Sequence, residues 1–395
     1  MHGRSKVQSY SDTETRSLRG KRFAKPSVLQ SLGAAAGIAL VFLYMFIGAS
    51  IAAAQNSNAT ITGTIKDQAG AAVSGSQITA INTQTGIQRT GTSDDSGRYT
   101  ILSLSPGFYD VQAAQSGFST VARRNQELLV GTTVTLDFAL QVSSINQTVE
   151  VTADALALET TQSNLQRILE TKEVDNLPLV SRSFSDLAAL TPGVLVNVGN
   201  VSTANISINN SPVGQTGYLL DGHSNENDFF GGPFVAVAQD WISEFSVLTN
   251  QFPAEYGGAA AGIVSAVSRS GTNQLHGRAY GFFQNATLNA TPSFLPKFAP
   301  TKPPYSSQRV GGMLGGPVIK DKLFYFAGFE YYKNTTSVPI VVPTAFQNIS
   351  GSSGVFPVAN TSKLGELKLD YQPNSKNSFN SVSYTHLTLP TILRV

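Results

Sequence analysis

The sequence predicts a mainly β protein with an α+β part between two β regions. Short alternating runs separated by Gly and Pro fill residues 59–141, and mixed helical and strand patterns follow over residues 154–272. Longer alternating runs, rich in aromatic residues, begin at His276. The 35 Gly, 13 Tyr and 22 Phe residues of the 395-residue chain agree with extensive β structure.

Composition excludes several kinds of site. The chain has no cysteine, so disulfides, thiolate metal sites and cysteine nucleophiles are excluded. Charged residues make up 13%, about half the usual share of a soluble domain. The net charge is +2, but residues 1–54 hold seven basic and two acidic residues, which leaves 20 basic and 23 acidic residues elsewhere. We therefore expect no nucleic-acid partner, no metal and no cofactor.

Residues 1–54 have the pattern of a secretory signal peptide. A basic start is followed by an apolar stretch and then by "AAAQ", in which Ala52 and Ala54 form an A-x-A cleavage site. An uncleaved anchor is the alternative, because the apolar stretch of ~20 residues is long enough to span a bilayer. In both cases we expect the remainder of the chain to leave the cytoplasm.

Residues 55–141 are predicted to form a small antiparallel β-sandwich. Their strand-like runs are "ATITGTIKD", "SQITAIN", "RYTILSL", "GFYDVQAAQ" and "TTVTLDFALQ". Asp94 and Asp95 fit a turn that needs side-chain caps better than an acid/base pair. The stretch "TSDDSGRYTILSLSPGFYDVQAAQSGF" resembles the carboxypeptidase regulatory-like domain, which implies a transthyretin-like fold and no catalysis.

Residues 142–153 are predicted to form a linker with a partner-binding strand. The β-branched segment Thr148, Val149, Glu150, Val151, Thr152 and Ala153 suits pairing with the sheet edge of another protein. It resembles the TonB box of outer-membrane transporters. A plain linker strand, or one more edge strand of the sandwich, is the alternative.

Residues 154–272 are predicted to form a compact α+β domain. Leu187, Leu190 and Val194 recur roughly at helical spacing, and Pro192-Gly193 is expected to end that helix. Arg182, Ser183 and Ser185 lie before the helix, where caps are expected. The strands are expected at "NISINN", "TGYLLDG", "ISEFSVLTN" and "AGIVSAVSRS".

Four stretches together resemble the plug domain and first barrel strands of TonB-dependent receptors. They are "NLPLVSRSFSDLAALTPGV", "LLDGHSNEND", "ISEFSVLTNQFPAEYGGAAAGIVSAVSRSGTNQLHG" and "QRVGGMLGGPVIKDKLFYFAGFEYYKN". The last two are similar to the Oar-like subgroup, which carries the same sandwich in front. The resemblance covers residues 59 to about 384.

Two other interpretations of the plug domain are weaker. The Gly-rich stretch at residues 254–277 lacks the Gly-Lys-Ser/Thr of a phosphate loop, so its glycines are expected to allow tight turns and close backbone approach. Asp221 and His223 could be an acid/base pair, but a Leu-Asp-Gly turn after a strand is the simpler account.

Asp228, Phe229 and Phe230 are candidates for a plug-apex loop that faces ligand.

Residues 273–384 are predicted to begin a transmembrane β-barrel. Gly365, Leu367, Leu369 and Tyr371 alternate with polar residues, which is the pattern of strands that face lipid on one side. At ~10 residues per strand plus loops, four to six strands fit, too few for the 22-stranded barrels of the family. We therefore expect an N-terminal piece of a longer barrel. Residues 385–395 fit no strand, include Pro390 and resemble translated adapter sequence, so we expect a non-native tail.

The resemblance implies the front part of an outer-membrane TonB-dependent receptor, a transporter and not an enzyme. Its implied partners are TonB of the inner-membrane energising complex, outer-membrane lipid and an extracellular ligand. No residue pattern identifies that ligand, and carbohydrate binding is one expectation for it. The alternative is a secreted or surface β-rich, adhesin-like binding protein without transport.

Overall fold

A computed structural model describes most of the chain from residue 58 onward. The described residues are 58–142, 148–152, 165–177, 179, 182–197, 205–212, 214–227, 231–252, 256–290, 302–343, 353–375 and 377–390. The predicted signal peptide and its cleavage site lie outside them. Within these ranges, no helix is both long and apolar enough to cross a membrane.

The first region is a β-sandwich, called here the sandwich. Its strands are β1 (Ala59–Asp67), β2 (Gln77–Asn82), β3 (Gln88–Thr92), β4 (Arg98–Leu104), β5 (Gly107–Ala114), β6 (Thr120–Leu128), β7 (Thr133–Thr135), β8 (Phe138–Leu140) and β9 (Thr148–Thr152). One sheet has the order β4-β1-β7, with β8 also paired to β1, and the other has the order β3-β2-β5-β6-β9.

The sandwich core follows from period-2 alternation. Ile61 and Ile65 on β1 are fully buried, and they pack with Ile78 of β2 and Val111 of β5 between the two sheets. At the predicted turn, the Asp94 carboxylate accepts hydrogen bonds from the backbone N–H groups of Ser96 and Arg98, both at 2.9 Å. Asp94 therefore caps a turn, as predicted.

The second region is the α+β part at residues 165–268; the term plug domain is used below as a label for these residues. Its elements are β10 (Leu165–Leu169), α1 (Thr171–Asn176), α2 (Phe184–Ala188), β11 (Val194–Asn197), β12 (Asn205–Ile208), β13 (Thr216–Leu220), β14 (His223–Ser224), a 3-10 turn (Gln239–Trp241), β15 (Ile242–Asn250) and β16 (Gly262–Ser268). The sheet order is β10-β15-β16-β13-β14, and β11 and β12 form a separate hairpin.

Local sequence accounts for the start of α2 and for the close packing of β16. Ser183 is the N-cap of α2, and its side chain accepts a hydrogen bond from the N–H of Ser185. β16 is buried along its whole length, and a Cβ at Gly262 would lie 2.5 Å from the Leu248 carbonyl oxygen of β15. The Gly-rich stretch therefore serves close backbone approach, as predicted.

The third region, called here the C-terminal sheet, is an antiparallel sheet of long strands in the order β17-β18-β19-β20-β21. The strands are β17 (His276–Asn285), which is followed by a 3-10 turn (Ala286–Leu288), β18 (Ser306–Ile319), β19 (Leu323–Ile340), β20 (Gly354–Tyr371) and β21 (Phe379–Pro390). On β20, Leu367 is 49% exposed, whereas Lys368 is 4% exposed. The predicted alternation is therefore present, with apolar residues outward and charged residues inward.

One expectation about this sheet is wrong. Residues 385–390 do form a strand, since β21 pairs with β20 from Phe379 through Pro390. Pro390 is tolerated because it ends β21, which is an edge strand of the sheet. Residues 391–395 lie outside the described part of the chain, and the origin of the tail stays a prediction.

Candidate functional site

The predicted partner-binding segment is an edge strand of the sandwich. β9 runs parallel to β6, with Thr120 opposite Thr148 and Arg124 opposite Thr152. Its strand conformation agrees with both interpretations of the segment, as a partner-binding strand and as one more edge strand. Ala153 lies outside the described residues.

Other predicted site residues also fall outside the described part of the chain. They are Ala52, Ala54, Asp228, Phe229 and Phe230. Two backbone hydrogen bonds join the ends of the loop that contains the last three: Asn227 N–H to Gly232 O and Gly231 N–H to Asn227 O, both at 2.8 Å. Phe234 follows that loop and is 69% exposed.

Asp221 is at the centre of a buried contact between the plug domain and the C-terminal sheet. It follows β13 in a turn with φ of 49°, and Gly222 continues the turn with φ of 76°. Its carboxylate accepts hydrogen bonds from the Ser268 N–H at 2.9 Å and the Ser268 hydroxyl at 2.7 Å. From the C-terminal sheet, Lys368 Nζ lies 3.2 Å from Asp221 Oδ1, and the Tyr384 hydroxyl donates to Oδ2.

The surroundings of Asp221 keep its carboxyl ionised. Burial alone raises the pKa of Asp221, but the Lys368 ammonium and the hydrogen bonds from Tyr384 and Ser268 outweigh burial and hold it below its usual value. The hydrogen bond of the His223 ring is with the backbone oxygen of Asp221, at 3.0 Å, and not with its carboxylate. Asp221 is therefore a structural anchor with its oxygens occupied, and it does not face His223 as an acid/base pair would.

A second set of ion pairs joins the plug domain to β17. Arg278 of β17 contacts Asp175 at 3.0 Å and Asp240 at 3.4 Å. Within the plug domain, Arg269 contacts the same Asp175 at 2.7 Å, and Arg182 contacts Asp240 at 2.7 Å. Asp175 and Asp240 therefore each bind one arginine of the plug domain and also Arg278 of the C-terminal sheet.

Aromatic packing supports the same contact. The Arg182 guanidinium lies 3.9 Å from the centre of the Phe282 ring on β17. Trp241 of the plug domain packs against β19 at Gly328, where a Cβ would lie 2.6 Å from the indole ring. Glycine at residue 328 therefore makes room for the plug domain.

The sandwich also contacts both other regions. The Val130 N–H donates to Glu244 Oε2 of β15 at 2.7 Å. Arg89 of β3 donates to the Ser375 carbonyl oxygen at 3.0 Å and to the Ser378 hydroxyl at 2.8 Å, in the turn between β20 and β21. Sequence analysis missed all of these contacts, because no local pattern marks which residues meet across more than a hundred positions.

Glu244 has an unusual electrostatic environment at the junction of sandwich and plug domain. Burial raises the pKa of Glu244 to about 7. The Val130 N–H lowers that pKa, whereas the negative charges of Glu127 and Glu170 raise it. Glu244 therefore changes charge close to neutral pH. The described residues contain no group of acidic and histidine side chains that could hold a metal ion.

Two family models match the chain. A carboxypeptidase regulatory-like domain covers residues 60–141, and an outer membrane beta barrel domain covers residues 267–391. The TonB-dependent transporter Oar of Myxococcus xanthus is 26% identical over 293 residues, which is 71% of this chain. The chain spans 27% of the length of Oar.

Solved outer-membrane proteins show only a partial likeness. The siderophore receptor PirA from Acinetobacter baumannii is 22% identical, with a TM-score of 0.43, over 60% of this chain and 34% of PirA. The transporter YddB from Escherichia coli is 14% identical, with a TM-score of 0.42, over 55% of this chain and 32% of YddB. Both TM-scores are too low to bear on function.

The sequence matches, by contrast, agree with the order of regions in the fold. The sandwich is followed by the plug domain and then by a sheet whose outward residues are apolar, as outer-membrane strands require. This chain is therefore an outer-membrane homologue of the TonB-dependent transporter Oar, and its own carboxypeptidase regulatory-like domain precedes its outer-membrane β-barrel sequence.

Proposed function

We propose that this chain supplies the sandwich, plug domain and first barrel strands of a receptor that takes up an extracellular ligand with energy delivered by TonB. One observation carries the proposal. Ion pairs bind the plug domain to the charged side of a sheet whose other side is apolar, and the pair between Asp221 and Lys368 is buried. That arrangement suits a gate held inside a membrane barrel better than it suits a secreted adhesin.

In the proposed mechanism, ligand binds on the outer side and TonB pairs with residues 148–153. Force on that segment then displaces the plug domain and breaks its contacts at Asp221 and Asp175. The loop with Asp228, Phe229 and Phe230 is our candidate for ligand contact, and carbohydrate binding stays a prediction. The signal cleavage after Ala54 stays a prediction as well.

We propose no catalytic role for the chain. The buried carboxylate of Asp221 accepts hydrogen bonds from Ser268, Lys368 and Tyr384. A group used in acid/base catalysis needs access to a substrate proton, which these partners prevent. The related protein Oar is described as a transporter, which agrees with this proposal.

The variant Val149→Pro tests the partner-binding segment. Proline removes a backbone N–H and so interrupts strand pairing. We expect binding of the purified periplasmic domain of TonB to fall by more than about tenfold, measured by calorimetry. The control is Val149→Thr, which keeps the N–H and the β-branched side chain. Equal binding by both variants would reject residues 148–153 as the contact.

A further inference from the structure

The position of β9 determines how a partner can reach it. β9 is the last strand of the order β3-β2-β5-β6-β9, so one of its edges pairs with β6. An extended strand has a second edge, which carries its remaining N–H and C=O groups. In the described part of the chain, no strand pairs with that second edge.

The opposite edge of the same sheet differs from β9. That edge is β3, and residues 372, 375 and 378, which follow β20 and precede β21, contact it. Arg89 of β3 donates to Ser375 and Ser378, and the Gln88 carbonyl oxygen accepts from Gln372 at 3.5 Å. Of the two edges, β3 is therefore protected by the rest of the chain.

The sequence of β9 also lacks the usual protection of an edge strand. Natural edges are guarded by proline, lysine, bulges or covering segments. "TVEVT" has no proline and no lysine, Glu150 is its one charged residue, and its register with β6 runs without a shift over all five residues.

We propose that the partner strand adds to the outer edge of β9 while β9 stays paired with β6. The partner then binds the folded carboxypeptidase regulatory-like sandwich and adds a sixth strand to the sheet β3-β2-β5-β6-β9. It does not bind a peptide released from the sandwich. The recognised chemistry is an extended backbone strand. This inference rests on the proposed function, since it takes TonB as the source of that strand.

A consequence is that a pull on β9 reaches the plug domain through the sandwich as well as along the chain that leads to β10. β6, the neighbour of β9, ends at Leu128, and Val130 two residues later donates to Glu244 of the plug domain. A released peptide would bypass this contact. The sandwich thus becomes part of the route by which force reaches the plug domain.

A cross-strand disulfide tests the proposal. Thr120 and Thr148 face each other in the register, and neighbouring strands lie about 4.7–4.9 Å apart, within the Cα separation that a disulfide needs. The chain has no cysteine, so Thr120→Cys with Thr148→Cys introduces a single defined bridge. We expect the oxidised variant to bind the periplasmic domain of TonB within about twofold of its reduced form.

The opposite result would overturn the proposal. If oxidation weakens binding by more than about tenfold and reductant restores it, β9 must leave β6 before the partner binds. The matched controls are the two single-cysteine variants, treated with the same oxidant. Arg124→Cys with Thr152→Cys provides a second bridge at the other end of the register, in case the first does not form.

Hydrogen exchange on the unmodified chain gives an independent measurement. Addition of the TonB domain should protect the amides of residues 148–152 and leave those of residues 120–124 as protected as before. Loss of protection at residues 120–124 would show that β9 departs, and would contradict the proposal. If the unmodified chain does not bind the TonB domain at all, the proposed function is rejected. If Val149→Pro binds as well as the unmodified chain, residues 148–153 are rejected as the contact. The two failures are therefore distinguishable.

Discussion

At the residue scale, Asp221 shows how one side chain combines two roles. It forms the predicted turn after β13, and it also receives the ammonium of Lys368 from a strand 147 residues away. A buried ion pair adds little net stability, because desolvation offsets the attraction, but breaking it leaves an uncompensated charge. The pair therefore fixes where the plug domain binds more than how tightly the protein folds.

Removing the cation should be costly. We expect Lys368→Met to lower the free energy of unfolding by about 3–5 kcal/mol, because Asp221 would stay buried without its partner. Guanidinium unfolding in detergent measures this loss.

Two comparisons make that measurement specific. Lys363→Met, at an exposed position of the same strand, should change stability by less than about 0.5 kcal/mol. Asp221→Asn combined with Lys368→Met should cost less than Lys368→Met alone, because both charges are removed. If the double variant loses as much free energy of unfolding as Asp221→Asn and Lys368→Met lose separately, added together, the two residues are not coupled.

Glu244 should make stability depend on pH. Its carboxyl has a usual pKa of 4.5, and burial raises that pKa to about 7 in the fold, where Glu127 and Glu170 also face it. The folded state then holds the proton more tightly than the unfolded chain. The stabilisation is complete below pH 4.5 and is lost as the pH rises through about 7.

The variant Glu244→Gln isolates this effect. Glutamine keeps an acceptor for the Val130 N–H but does not titrate, so the fall in unfolding temperature between these pH values should become shallower. Glu173→Gln, on the exposed surface of α1, is the control and should keep the slope of the unmodified chain. An unchanged slope in Glu244→Gln would assign the pH dependence to other groups.

At the element scale, β19 and the turn before β15 meet because residue 328 has no side chain. Gly328→Ala would place a Cβ 2.6 Å from the Trp241 ring. We expect a loss of about 1–3 kcal/mol from this overpacking. Trp241 is the only tryptophan of the chain, so its fluorescence reports directly on the contact.

The control for that variant lies on the neighbouring strand. Gly365 pairs with Phe329, and a Cβ there would lie 3.8 Å from the nearest atom, on Thr385. Gly365→Ala should therefore leave both the emission of Trp241 and the unfolding midpoint unchanged. The same shift in both variants would mean that Gly328 has no special role.

Prediction from sequence succeeded for elements whose own pattern is strong. β1 begins and ends where alternation and the turn residues place it, and β13, β15 and β16 lie inside the predicted runs. β3 and β6 were missed, because "QRTGT" and "TVARRNQEL" carry Gly or charged residues in place of an apolar alternation. Such strands form because neighbouring strands supply the pairing, and that tertiary information is absent from a local window.

The candidate site was only partly predictable for the same reason. The β-branched run at residues 148–152 indicated a strand, but its parallel pairing with β6 depends on the fold of the sandwich. Arg278, Asp175 and Asp240 gave no signal, because isolated charges in a sequence are usually solvated. The inward alternation of β20 indicated that Lys368 faces the barrel interior, yet not that Asp221 would meet it there.

At the scale of the whole molecule, polar contacts join the three described regions to one another. The sandwich carries β9 and contacts the plug domain at Glu244, and the plug domain contacts the C-terminal sheet at Asp221 and Asp175. Displacement of the plug domain must break these charged contacts. In the mechanism that we propose, they set the resistance that TonB has to overcome.

The central claim, that β9 is where an energising partner attaches, can be measured directly in cells. A photo-crosslinking amino acid at Glu150 of β9 is compared with one at Thr90, an exposed residue of the protected edge strand β3. The account predicts a crosslinked product with TonB from residue 150 and none from residue 90. Equal products from both residues, or a product from residue 90 alone, would contradict it.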